Sequence, residues 1–311
     1  MVKNRKRIAA AGLLFVVFTL VLLYAAIQSI WAHENHVKKI SLYATDGYVT
    51  MPDGNQMYIW GYSSQNKKGT AVYPAPTMEV EEGDQVEITL TNLGPSKSGI
   101  LPVSHTIHFH GLDTDQKNDG VPHTAPPVFV GESFTYQFNA KHAGTYFYHC
   151  HVDTVEHLQM GMTGAFIVKA HGGVKQAWTG GPSYDKEAVF HLNEIDRSWH
   201  DAVEQRKTYD RTVFEPDFWT MNGEFKSRNA SSSIVAQAGE TYLIRLINSG
   251  YEKHTFHMNG RTFKVIASDG RPLRQAVDKQ SITMASAERY DILVKFDQAG
   301  TYAVEVDGQA K

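Results

Sequence analysis

Apolar and polar positions alternate with a period of two through much of this chain. Gln85-Val-Glu-Ile-Thr-Leu90 sets Val86, Ile88 and Leu90 on one side, and Ser133-Phe-Thr-Tyr-Gln-Phe138 does the same with Phe134, Tyr136 and Phe138. Alternation of this kind marks half-buried strands. Gly164-Ala-Phe-Ile-Val168 is a continuous apolar run of strand length, and Val80 lies in another short β-like stretch. Gly, Pro, Asn and Asp interrupt these runs, and Ala202 to Lys207 is the best helical candidate. Many short strands with polar turns predict an all-β chain built of sandwiches.

One segment breaks the alternation. Ile8 to Ile27 is apolar, close to the ~20 residues that span a bilayer, and Lys3, Arg5, Lys6 and Arg7 precede it. The positive-inside rule keeps that basic flank cytoplasmic and places everything after His33 outside. The expectation is a single-pass anchor with an extracytoplasmic globular part; a cleaved signal peptide, giving a secreted protein, is the rival.

The strand pattern also repeats. Glu82-Gly83-Asp84 and the strand behind it return as Ala238-Gly239-Glu240, His105-Thr-Ile-His-Phe-His-Gly111 as His254-Thr-Phe-His-Met-Asn-Gly260, and Ala143-Gly-Thr-Tyr146 as Ala299-Gly-Thr-Tyr302. Three matches in one order imply two copies of one sandwich. The expected division is an N-terminal segment over 1–35, a first domain over 40–170, a linker over 171–188 and a second domain over 189–311.

Composition excludes some functions. A net charge of −3 offers no basic field for nucleic acid, and a single cysteine cannot form an internal disulfide. That cysteine, Cys150, lies between His149 and His151, and eight of the 15 histidines fall between His105 and His157. His105, Cys150, His157 and Met162 supply a thiolate, two imidazoles and a weak thioether, the ligand set of a blue-copper electron-transfer site. Met160 is the competing thioether. His33, His36, His123, His142, His171, His191 and His200 lie outside the ligand spacing and are expected on the surface or in loops.

With these motifs in hand, the chain from about Tyr43 onward resembles the two-domain multicopper oxidases, relatives of the copper nitrite reductases. The resemblance implies two cupredoxin-like Greek-key β-sandwich domains, a type 1 copper and a three-copper (type 2/type 3) cluster that reduces dioxygen. His105, Cys150, His157 and Met162 match its type 1 ligands, although the step from Cys150 to His157 is longer than in typical laccases. His108, His110, His149 and His151 match the first-domain half of the cluster. Asp119 stands where related oxidases keep a proton-relaying acid, and reads equally well as a turn residue before Gly120. Nitrite reductases carry an aspartate at the position of His108 and a non-histidine at that of His151, which makes nitrite reduction the minor alternative. The family also implies a homotrimer, because cluster ligands of one subunit are completed by its neighbour.

The second domain departs from this pattern. His254 and His257 survive, but Asn259 replaces the next ligand, and the offset of 156 from Gly144 to Gly300 carries His149 to Glu305 and His151 to Asp307. Those carboxylates are solvated strand residues, ligands for a harder metal, or unusual copper ligands. His254 has no cysteine partner, so no second type 1 site is expected. The same offset puts the counterpart of the strand Thr163–Lys169 near position 319, beyond Lys311. The second domain is therefore expected to lack its final strand and expose an unpaired edge, as in a truncated oxidase. Two function classes remain. One is an exported oxidoreductase passing single electrons from a phenol, metal ion or redox protein to dioxygen; the other is a type 1 copper carrier without oxygen chemistry.

Overall fold

The structure is a computed structural model that describes Thr19, Val21 and residues 37–309. The expected anchor segment over 1–35 lies, those two residues aside, outside the described part. Among the described residues no helix is long and apolar enough to cross a membrane.

The first domain contains β1 (Val37–Thr50), β2 (Gln56–Ser63), β3 (Ala75–Glu81), β4 (Gln85–Gly94), β5 (His108–His110), β6 (Ser133–Asn139), β7 (Gly144–His149) and β8 (Thr163–Lys169). They form two sheets, ordered β2-β1-β4-β6 and β3-β8-β7-β5. The alternation seen in sequence is realised in β4, where Val86, Ile88 and Leu90 are buried. On its outer face Thr89 and Thr91 hydrogen-bond across to Thr135 and Ser133 at 2.8 and 2.7 Å. β7 does not alternate, and every residue in it is buried. Tyr146 and Tyr148 face the first core, while Phe147 packs with Ala165, Ile167 and Ile247 beneath the second domain.

The second domain contains β9 (Lys186–Ile195), β10 (Phe218–Met221), β11 (Glu224–Lys226), β12 (Asn229–Ala236), β13 (Thr241–Asn248), β14 (Lys253–His257), β15 (Phe263–Ser268), β16 (Arg271–Lys279), β17 (Ser281–Met284), β18 (Arg289–Lys295) and β19 (Gly300–Gln309). Its sheets run β11-β10-β9-β13-β18-β15-β16 and β12-β19-β14-β17. Between residues 37 and 309 two α-helices accompany the strands. α1 (Thr154–Gln159), unforeseen, lies in the loop between Cys150 and Met162, and α2 (Arg197–Gln205) begins five residues before the helix expected from sequence.

The expected bare edge is not found. In the first domain β8 lies between β3 and β7; in the second β12, the counterpart of β3, pairs directly with β19 from Asn229↔Asp307 to Ala236↔Gly300. β14 holds the other side of β19. β19 is therefore paired along both sides.

The domains join through buried charge. Arg245, fully buried, is held by Glu187 and Asp291, and its Nη1 donates to Thr145 Oγ1 of β7 at 3.0 Å. Thr145 in turn donates to Asp291, whose carboxyl is raised by burial. A buried charge without such partners would be strongly destabilising.

Candidate metal centre

β7 delivers Cys150 to the top of the first sandwich, and α1 carries His157 back over it. One ligand atom each from His105, Cys150 and His157 lies within 4.8 Å of the others. The Cys150 sulfur is 3.1 Å from His157 Nδ1 and 3.8 Å from His105 Nδ1. His105 is fixed by backbone bonds to Val128, and Thr106 N–H points at the sulfur from 3.5 Å. Burial holds His105 well below the ordinary imidazole value and lowers His157 to about 4, so both rings stay neutral. Burial pushes the Cys150 thiol up to about 11. A coordinating cation deprotonates such a thiol outright. A soft sulfur and two neutral imidazoles in a dry pocket therefore fit copper. Met162 and Met160 are both fully buried in the core that holds Cys150. Met162 O accepts from Cys150 N, whereas Met160 O accepts from Trp60 N.

The loop bearing His157 leans on the second domain. Gln159 donates to Glu194 O at 3.1 Å and accepts from Asp196 N at 2.7 Å. Trp60 stands edge-on to the His157 ring with centroids 5.1 Å apart. A cavity of about 620 Å³ opens beside His157, lined by Trp60, Val152 and Glu156 and, across the domain boundary, by Val203, Tyr209 and Arg211.

On the far side of Cys150, β5 pairs with β7 so that His108 lies opposite His149. His108, His110 and His149 bring three nitrogens within 4.8 Å of one another. His151 lies against them, its ring 5.1 Å from that of His108 and 5.8 Å from that of His149. His108 Nδ1 donates to Asp119 O at 2.7 Å and His149 Nδ1 to Cys150 O at 2.9 Å, leaving each Nε2 as the free lone pair. The Asp119 carboxylate sits 3.4 Å from His108 Nδ1. That approach depends on Gly120, at φ +73°, where a Cβ would lie 1.9 Å from Ile107 O. His110 stacks on Phe147, and its Nδ1 is buried without a hydrogen-bond partner. Burial lowers His110 to about 4 and His149 to about 3.

Neither group includes a second-domain residue. His254, expected among the ligands, is buried and paired with Glu194. That carboxylate is held in place by Tyr251 N at 2.6 Å. His257 Nε2 bonds Asp307 at 3.1 Å, and Glu305 lies 3.3 Å from its Nδ1, so carboxylates face both ring nitrogens. Asn259 has left the strand for an exposed turn at φ 48°, a conformation asparagine tolerates, whereas its counterpart His110 stays in β5. Two other histidines also differ from expectation. His191 and His200 are buried, one bonded to Ser249 Oγ and the other to Tyr58 O. His123, His142 and His171 are exposed as expected. His33 and His36 lie outside the described residues. Sequence reasoning missed Trp60 and Arg211, since nothing local to either signals proximity to His157.

Family models described as multicopper oxidase match residues 45–172 and 191–311. Laccase-18 of Oryza sativa subsp. japonica is 30% identical over 249 residues, covering 74% of this chain but 38% of the rice protein. The chain thus spans about two fifths of that relative's length. The copper-containing nitrite reductase of Neisseria meningitidis is 26% identical over 272 residues, 86% of this chain and 63% of its own. Among solved structures, the blue copper oxidase from Nitrosomonas europaea superposes with a TM-score of 0.68 at 27% identity, covering 85% of this chain and 77% of that one.

Proposed function

The chain belongs to the multicopper oxidase family, and from that premise we propose that it is an exported, membrane-anchored copper oxidoreductase that takes single electrons at the Cys150 centre. The observation that carries this reading is the convergence of His105, Cys150 and His157 within 4.8 Å. Met162 would hold the copper together with these three residues, because it closes the loop at the family spacing and is buried in the same core. Copper bound there would supply one-electron redox chemistry. The residues do the rest: the sandwich holds the sulfur dry, Trp60 and the cavity leave His157 as the side facing a donor, and His149 and His151 flank Cys150 through two peptide bonds.

His108, His110, His149 and His151 are proposed as half of an oxygen-reducing cluster, with Asp119 orienting His108 and passing protons. The partnerless His110 nitrogen supports an added ligand-binding role at this group. Completion by the second domain of a neighbouring copy in a closed homotrimer is the assembly proposed. A second reading, an electron carrier without oxygen chemistry, is favoured by His257, whose two nitrogens already meet carboxylates. Nitrite reduction is the lesser alternative, supported by the Neisseria relative and opposed by His108 and His151. Copper analysis per chain with visible spectroscopy tests the proposal. About four coppers with an intense blue or green band support the oxidase, one copper with that band supports the carrier, and a colourless copper-loaded protein overturns both.

A further inference from the structure

We propose that the cavity beside His157 binds small aromatic anions, and that Arg211 sets this preference by closing the two carboxylates that would otherwise attract cations. The inference rests on the reading of Cys150 as an electron-accepting centre. At about 620 Å³ the cavity is the size of a small-ligand site. Ile100, Leu101, Val152 and Val203 give it apolar walls suited to a ring, and Trp60 carries the wall toward His157.

Its charges are unevenly paired. Asp153 and Glu156, at the start of α1, are the carboxylates in the lining, and both are bound by Arg211, with Nη2 2.6 Å from Glu156. Tyr209 donates to Glu156 as well, and Arg211 lies 5.8 Å over the Tyr209 ring. A metal cation needs several free oxygen donors, and here it would have to displace a guanidinium to reach them. Arg206 and Lys207 also line the cavity, and neither has a carboxylate partner among the described residues; the Arg206 guanidinium donates to Gly99 O at 3.2 Å. Three cations thus face two carboxylates. A ring carrying a carboxylate satisfies that excess, because an arginine fork binds carboxylates bidentately. With its charge at Arg206 and Lys207, the ring lies along the apolar wall and turns its far edge toward His157.

The test is calorimetric titration of the full-length, copper-loaded protein with para-hydroxybenzoate, its methyl ester and manganese(II). The acid should bind about tenfold more tightly than the ester. Arg206→Glu with Lys207→Glu, both exposed, should erase that preference. Arg211→Gln should weaken the acid and admit manganese. Equal affinity for acid and ester, or an acid affinity unchanged in the double variant, overturns the proposal. The blue band read in the same samples separates the two readings. Lost selectivity with the band intact sinks this inference alone, whereas selective binding without a band sinks the electron-accepting centre alone.

Discussion

Cys150 is the chain's one thiol, and the expected colour comes from thiolate-to-copper charge transfer, so Cys150→Ser should abolish the visible band entirely. Unchanged far-ultraviolet dichroism would show that the fold survives, and a serine variant that stays blue would sink the ligand assignment. His191 offers a pH test independent of metal. It is 3% exposed, and burial lowers its pKa to about 4, against about 6.5 in the unfolded chain. The unfolded state therefore binds the proton first, and stability should fall as pH drops from about 6.5 toward 4, by on the order of 3 kcal/mol from this group. Urea midpoints of the wild type and His191→Gln, compared at neutral and acid pH, should show a shallower decline in the variant. The four type 1 candidates were legible in sequence because the ligand-bearing loops come from one domain and include that single thiol. The Glu194 partner of His254 was not, because a pairing 60 positions apart leaves no local pattern.

At the scale of elements, α1 was invisible in sequence. Six residues are too few to show helical periodicity, and such a turn is held by its contacts rather than by propensity. Gln159, 3% exposed at its end, makes two of those contacts with the second domain. Gln159→Ala should cost about 1–3 kcal/mol, read from chemical denaturation, because it leaves buried backbone groups unpaired. The strand pattern itself was readable from alternation in β4 and β6, whereas the direct pairing of β12 with β19 was not, since any strand can supply a backbone ladder. Hydrogen exchange checks that pairing. Amides of β19 from Gly300 to Val306 should be protected about as well as those of β7, and markedly faster exchange in β19 would mean that the β12–β19 ladder does not persist.

For the whole molecule, mass measurement of the copper-loaded protein should give a trimer, and a strict monomer would count against both the assembly and the completed cluster. On the carrier reading, oxygen uptake with a phenolic donor should be weak or absent, because Asn259 has turned away and His257 is engaged by Glu305 and Asp307. Laccase-like turnover with a full copper complement would falsify this. The repeat made two domains legible from sequence, but not their docking, which depends on Arg245 meeting Thr145 across 100 positions. The Gln159 contact adds something to that docking. His157 is two residues away on the same short helix, so the ligand field at the thiolate is mechanically tied to the seam between the sandwiches. Slippage along that seam would be written into the hue of the protein, making the metal its own gauge of how tightly the two halves are closed.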